Sequence, residues 1–243
     1  MNFSTINVGV NDGIGSIVLN RPHKRNALSI QMRHEISECL TEWTNSISVN
    51  VVIITGAGSA FSAGFDLLEF EQLDIHNQLF KSSSIYHKAV WNFSKPIIAA
   101  INGPAIGGGF DLTTLCDIRI SSQSAVFGHP EIKFGAPPLF TPLRWIIGEG
   151  RARELCLTGR KIDATEALRI GLVSQVVDNE ALQDKAKEMA RTIMEAPLEA
   201  LLFTKGCFTQ NSGLSFEESF SLEHDEAFQK IILKAFKERK KEK

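Results

Sequence analysis

Three acidic residues, Asp66, Asp111 and Glu131, and two small-residue turns carry the chemistry this chain could perform. The turns are Ser62-Ala63-Gly64-Phe65-Asp66 and Gly107-Gly108-Gly109-Phe110-Asp111, each placed where a strand pattern gives way to a helical one. Glycine permits close backbone approach and unusual dihedrals, and the first N–H groups of a helix have no internal partner. Such turns can aim free amides at an oxygen that carries negative charge, each donor being worth roughly 2.7–4 kcal/mol in a transition state. The structural alternative is that the glycines let helices pack tightly on a sheet. The acids are equally two-sided. Near a helix start a carboxylate complements the helix dipole, and Glu131 follows Pro130, a favoured first helical residue. Held instead in an apolar pocket, a carboxyl group gains a raised pKa and carries protons near neutrality. Ile132, Phe134, Pro137, Pro138, Leu139 and Phe140 could wall such a pocket. Residue chemistry leaves both readings open.

The elements that must position these groups read as α/β. Thr5–Val10 and Ile17–Leu19 predict strands around an Asn11-Asp12-Gly13 turn. Ser29 is placed to cap a helix whose Ile30, Met32, Ile36, Leu40 and Trp43 return to one face. Val51–Ile54, Pro96–Ile101, Cys116–Ile120 and Leu172–Val177 predict further strands, with a helix over Leu73–Trp91 between the first two. Strands alternating with helices imply a largely parallel sheet. After about Asn179 only helices are predicted, over 181–194, 198–209 and 214–236, followed by the charged run KERKKEK. The strand–glycine turn–helix unit recurs at irregular intervals.

Composition narrows the function classes. The 243 residues are 43% hydrophobic and 22% charged, which excludes disorder and fibrous architectures. Lys plus Arg number 26 against 28 Asp plus Glu, a net charge of -2, so no basic field marks a nucleic-acid binder. Cys39, Cys116, Cys156 and Cys207 stand singly, which argues against a structural zinc site and fits a reducing compartment. No apolar run approaches the ~20 residues of a membrane span, and the first residues lack a basic start and apolar block, so a cytoplasmic location is expected. GAGSAF and GEGRAR are incomplete dinucleotide fingerprints, and neither a Walker-type loop nor a GxSxG elbow is present. The six histidines show no metal-ligand pairing, and each reads as a surface or packing residue.

Five blocks, LNRPHKRNAL (19–28), GAGSAFSAGFDL (56–67), INGPAIGGGFDL (101–112), FGHPEIKFG (127–135) and LTGRKIDATEALRIGLVSQVV (157–177), resemble the enoyl-CoA hydratase/isomerase, or crotonase, superfamily. The resemblance implies a ββα spiral over residues 1–178, a C-terminal helical oligomerisation region over 179–243, and assembly as a homotrimer or dimer of trimers. It implies an acyl-CoA thioester substrate, with coenzyme A part of that substrate and neither a separate cofactor nor a metal. The family's two carbonyl-polarising amides fall on Phe65 and Gly108, and its two catalytic glutamates on Glu131 and Asp111, the latter one methylene short. Lys24 and Arg25 fall at the adenine and phosphate edge of the family site, and Ser62, Ala63 and Gly64 at its backbone contacts to adenine and pantetheine. Lys205 is a weaker phosphate candidate. Leu139 lies in APPLFTPLRW, where many hydratases are glycine-rich, so the acyl pocket floor is reshaped. The expected activity is hydration of 2-trans-enoyl-CoA. The alternatives are a Δ3,Δ2-enoyl-CoA isomerase, thioester hydrolysis, dehalogenation, or a non-catalytic acyl-CoA- or RNA-binding relative; a dinucleotide oxidoreductase is disfavoured.

Overall fold

The computed structural model describes residues 2–210 and 213–234. Its principal sheet has six strands in the order β1-β2-β3-β4-β6-β9: β1 (Ile6–Asn11), β2 (Ile14–Leu19), β3 (Val51–Gly56), β4 (Ile97–Ile101), β6 (Ile118–Ser122) and β9 (Gln175–Val177). β1 and β2 form the expected hairpin, turning through Asp12 and Gly13 at φ 50° and 79°, the positive values a tight two-residue turn requires. Every later pairing in this sheet is parallel.

Both faces of the sheet are covered, which explains why β3 and β4 are apolar without alternation. Val52, Ile54, Ile97, Ala99 and Ile101 face the main core, where α1 (Ile30–Thr44) contributes Met32, Ile36, Leu40 and Trp43. Ser29 caps α1 as the sequence suggests, accepting from the Met32 amide. Val51, Ile53, Ile98, Ala100 and Ile120 face the opposite way and meet Leu182, Ala186 and Ala190, spaced four apart on α8 (Leu182–Met194). Thus the first C-terminal helix is a layer of the sheet's own packing.

Three strands escape periodicity because they are too short to show any. β5 (Ala105–Ile106), β7 (Val126–Gly128) and β8 (Ile162–Asp163) make a second sheet in that order. The short helix α2 (Leu67–Phe70) and then α3 (His76–Trp91) follow β3, α4 (Gly108–Leu115) follows β5, and α5 (Phe140–Ile147), α6 (Glu149–Thr158) and α7 (Ala164–Arg169) complete the core. Successive turns of the chain thus add a strand to the large sheet, a short segment to the small sheet and then helix, the ββα progression expected.

Two predicted strands are displaced. Cys116–Ile120 begins late, since Cys116 ends α4 and the Asp117 carboxylate accepts from the Ile97 amide at 2.7 Å. Leu172 and Val173 are buried in a loop before β9. α9 (Leu198–Gln210) and α10 (Phe216–Phe220) match expectation, and helical turns continue to residue 234; residues 235–236 of the predicted last helix and KERKKEK lie outside the described residues. Among the described residues no helix is long and apolar enough to cross a membrane.

Candidate active site

The small sheet assembles the site. Ser62 bridges Ala105 in parallel, and β5 pairs β7 in parallel with Ala105 opposite Phe127. Three neighbouring segments thus leave one edge in step: three residues on from Ser62 lies Phe65, three on from Ala105 lies Gly108, and four on from Phe127 lies Glu131. Carboxyl ends of parallel strands are where α/β folds place their ligands.

The turns touch. Gly64 has φ +92°, and a methyl there would meet the Ile106 carbonyl at 2.8 Å and the Gly108 amide nitrogen at 3.1 Å. A methyl on Gly108 would lie 3.3 Å from the Phe65 ring. Only glycine allows this approach, so both readings of the turns hold: tight packing, and amides brought side by side. The neighbouring N–H groups are committed, Gly64 to Ser62 Oγ and Gly107 to the Gly128 carbonyl. Those of Phe65 and Gly108 donate no hydrogen bond among the described residues. Two adjacent uncommitted donors are what an oxyanion requires.

The three acids separate by environment. Asp66 is structural: it caps α2 and pairs with Arg21 at 2.9 Å. Glu131 lies in a short helical turn, Pro130–Phe134, with its carboxyl against the glycine turn; a methyl on Gly107 would be 3.1 Å from Oε2 and 3.3 Å from Oε1. Oε2 is buried without a hydrogen-bond partner. Burial pushes the Glu131 carboxyl above its ordinary pKa and the nearby Asp111 charge adds to this, while its own backbone amide and His129 pull partly back. The walls differ from expectation, for Phe134 is 86% exposed and points to solvent.

Asp111, in the first turn of α4, does not stand alone. Its Oδ1 accepts from His129 Nε2 at 2.8 Å, and the histidine side chain is fully buried. Burial by itself would lower the His129 pKa. The hydrogen bond to Asp111, the nearby Cys156 and the charges of Asp111 and Glu131 outweigh it and raise the ring to about 9, while the buried Nδ1 makes no hydrogen bond. The reading of His129 as a lone packing residue is therefore corrected: it ion-pairs with a site carboxylate. Its place two residues before Glu131 was the only signal available.

A cavity of about 620 Å3 opens beside these turns, lined by Arg25, Ser59, Ala60, Ala63, Pro104, Ile106, Val126 and Lys161. Arg25 and Ala63 were expected there; Lys161, which sequence reasoning passed over, adds a second cation. Arg25 and Asn26 both adopt left-handed backbone (φ 48° and 55°), held because the buried Asn26 amide donates to the Ala57 and Ala60 carbonyls at 2.8 Å. Lys24 is exposed on the same loop and does not line the cavity. Ser62 is fully buried, its hydroxyl donating to the Asn26 carbonyl, so its side chain braces the loop. Leu139 is half-buried just ahead of α5. Lys205 is removed from the phosphate candidates: it is buried, its Nζ 2.7 Å from both Asp117 Oδ2 and the Lys95 carbonyl.

On the other side of Phe65 a groove of about 310 Å3 is lined by Arg33, Phe65, Phe70, His76, Leu79, Phe80 and Ser83. The buried Arg33 guanidinium stacks 4.6 Å from the Phe65 ring and lies 3.4 Å from Glu69.

Comparison with known proteins agrees with this architecture. The family model described as enoyl-CoA hydratase/isomerase matches residues 9–242. A probable enoyl-CoA hydratase of Mycobacterium bovis is 36% identical over 91% of this chain and 86% of its own length. A short-chain-enoyl-CoA hydratase of Clostridium acetobutylicum is 34% identical over 94% and 92%. Among solved structures, an enoyl-CoA hydratase from Bacillus anthracis superposes with a TM-score of 0.89 at 34% identity, covering 97% of both chains. A putative enoyl-CoA hydratase from Thermobifida fusca in complex with CoA gives 0.85 at 30% identity, covering 95% of this chain and 94% of that one. With the ββα progression, the paired turns and these relatives in agreement, the chain belongs to the enoyl-CoA hydratase/isomerase, or crotonase, superfamily.

Proposed function

We propose that this protein is an enoyl-CoA hydratase that adds water reversibly across the double bond of 2-trans-enoyl-CoA thioesters. The observation that carries the reading is the convergence, at one edge of the small sheet, of the uncommitted Phe65 and Gly108 amides with the buried carboxyl of Glu131. Attack of water at the β-carbon moves the π electrons through the α-carbon to the thioester oxygen. Two amides fixed before the reaction stabilise that enolate without reorganising, by roughly 2.7–4 kcal/mol each. Glu131, whose raised pKa keeps a proton available, delivers it to the α-carbon, while Asp111 takes one from the attacking water.

The cavity beside Arg25 and Lys161 suits the phosphates and adenine of CoA, with Lys24 at its margin, Ala63 and Gly64 offering backbone, and Ser62 holding the loop. The groove beyond Phe65 suits the acyl chain, and Leu139, half-buried ahead of α5, is a further acyl-pocket candidate from the family resemblance. Coenzyme A enters as part of the substrate, and the reaction uses no further cofactor. Exposed Phe216, Phe220, Phe228 and Leu233 on the last helical stretch support the reading of residues 179–243 as an oligomerisation region, in a homotrimer or dimer of trimers. Four free, buried cysteines support a reducing, cytoplasmic setting.

Loss of enone absorbance on a short 2-enoyl-CoA tests the assignment. Turnover by the wild type that falls roughly 10²–10⁴-fold in Glu131→Gln is expected; no turnover, or equal rates, refutes it. One observation favours a second reading, a Δ3,Δ2-enoyl-CoA isomerase: Asp111 has one oxygen bound by His129, and a proton shuttle between two carbons needs only Glu131. Near-normal isomerisation of a 3-enoyl-CoA by Asp111→Asn, with no hydration by the wild type, selects that alternative.

A further inference from the structure

We propose that His129 is a positioning residue for hydration: it grips Oδ1 of the short Asp111 carboxylate and leaves Oδ2 as the oxygen that takes the proton from water. This rests on the hydratase reading and adds to it a residue with its own job.

The geometry carries the argument. The His129 side chain is fully buried and its Nε2 lies 2.8 Å from Asp111 Oδ1. Its ring stacks on Phe110, the residue before Asp111, with centroids 4.6 Å apart and planes 27° from parallel. Backbone on both sides is held as well. Gly128, the last residue of β7, accepts the Gly107 amide at 2.9 Å, and Pro130 restricts His129 from the other side. The ring is thus built against the same helix whose carboxylate it holds.

Oδ2 differs from Oδ1. It has no hydrogen-bond partner, yet it is absent from the polar atoms sealed from solvent, and the Asp111 side chain keeps 12% of its exposure. Oδ2 is therefore open to water, while Oδ1 is engaged by the ring. An aspartate free to rotate would present either oxygen with a shorter reach than a glutamate; one pinned by Oδ1 presents a single oxygen in a single direction. The ionisable groups acting on the ring are Asp111 from α4, Cys156 from α6 and Glu131 from its own turn, and together they favour the protonated ring. The ring donates to Oδ1 and leaves Oδ2 free to accept.

The step balances. A water O–H bond breaks, its proton going to Oδ2, as the oxygen forms the C–O bond at the β-carbon. The π pair becomes the enolate, which then collapses by taking the Glu131 proton at the α-carbon. Water has been added, Asp111 is protonated and Glu131 ionised, and proton exchange with solvent resets both.

The test pairs kinetics with imidazole NMR on the intact enzyme, using His129→Leu, His129→Gln, Asp111→Asn and His129→Leu/Asp111→Asn. Hydration kcat should fall roughly 10²-fold in His129→Leu, the loss expected of a misplaced group, with KM within about threefold. His129→Gln, which keeps a donor, should recover at least about tenfold of that loss, and it replaces His129→Leu should the latter not fold. The double variant should be no slower than Asp111→Asn alone, because both changes remove one unit. In the wild type the ring should stay doubly protonated at pH 8, and in Asp111→Asn its titration should return to within about one unit of 6.5. Wild-type kcat in His129→Leu, additive losses in the double variant, or a ring indifferent to Asp111→Asn would each overturn the proposal while leaving the hydratase reading intact. A wild type that hydrates no enoyl-CoA overturns both, and the NMR titration then reports the ion pair separately.

Discussion

Gly107→Ala should damage catalysis through Glu131, and its size can be worked from two contributions. The first is backbone strain. Gly107 sits at φ 55°, ψ -127°, a region nearly closed to L-residues, so alanine should cost about 1–3 kcal/mol of stability. In a chain of this length each kcal/mol lowers Tm by roughly 2–4 °C. The second is contact. The new methyl would lie 3.1 Å from Glu131 Oε2 and 3.3 Å from Cδ and Oε1, inside the ~3.5 Å at which such atoms rest. The carboxyl must retreat by a few tenths of an ångström. A full ångström of misplacement costs about 10²-fold, so roughly tenfold in kcat is expected here. Gly171→Ala provides the control: it has φ +77° and nothing within 4 Å of an added methyl, hence strain without contact. Melting curves and enoyl-CoA hydration rates should show both variants destabilised and only Gly107→Ala slowed. Equal kcat in the two, at matched loss of Tm, would falsify the claim that the Glu131 carboxyl works from beside Gly107.

Other consequences follow from the same structure. Because Glu131 is raised above its usual 4.5 by burial, folding binds a proton there, and ionising it destabilises the native state as pH rises through the folded pKa. Glu131→Gln should therefore melt like wild type at pH 4 and increasingly above it towards pH 8; a pH-independent difference would contradict the buried placement. Lys205→Met breaks a buried pair with Asp117 and should lose about 3–5 kcal/mol while leaving KM for the CoA thioester unchanged. A raised KM at unchanged Tm would restore Lys205 to the phosphate site. Burial pushes the Cys39 and Cys116 thiols to about 12, so iodoacetamide at pH 8 should label neither in the folded protein and both after unfolding, as read by mass spectrometry.

Much of this arrangement was legible in the residues. Val51–Ile54 and Pro96–Ile101 announced buried strands and Ser29 its helix; the two glycine turns suggested free amides, and only the family resemblance pointed to Phe65 and Gly108. What escaped depends on distant pairing. β5, β7 and β8 span two or three residues, so no period could mark them, yet their register brings Phe65, Gly108 and Glu131 together. His129 and Lys205 were misjudged for one reason. A side chain's role follows from the partner 18 or 88 residues away, Asp111 in one case and Asp117 in the other. Phe134 was taken for a pocket wall on proximity in sequence, but the short turn it ends directs it outward. Asp66 shows the converse, an acid in a suggestive turn that only caps and pairs.

Infrared difference spectroscopy of a 2-enoyl-CoA carrying a ¹³C-labelled thioester carbonyl, bound to Glu131→Gln so that turnover is slow, tests the two-amide grip most directly. Two amides holding that oxygen should shift its stretch to lower frequency than in water, with the shift diminished when Gly108→Pro removes one donor. A carbonyl band at its solution position in the bound complex would contradict the account.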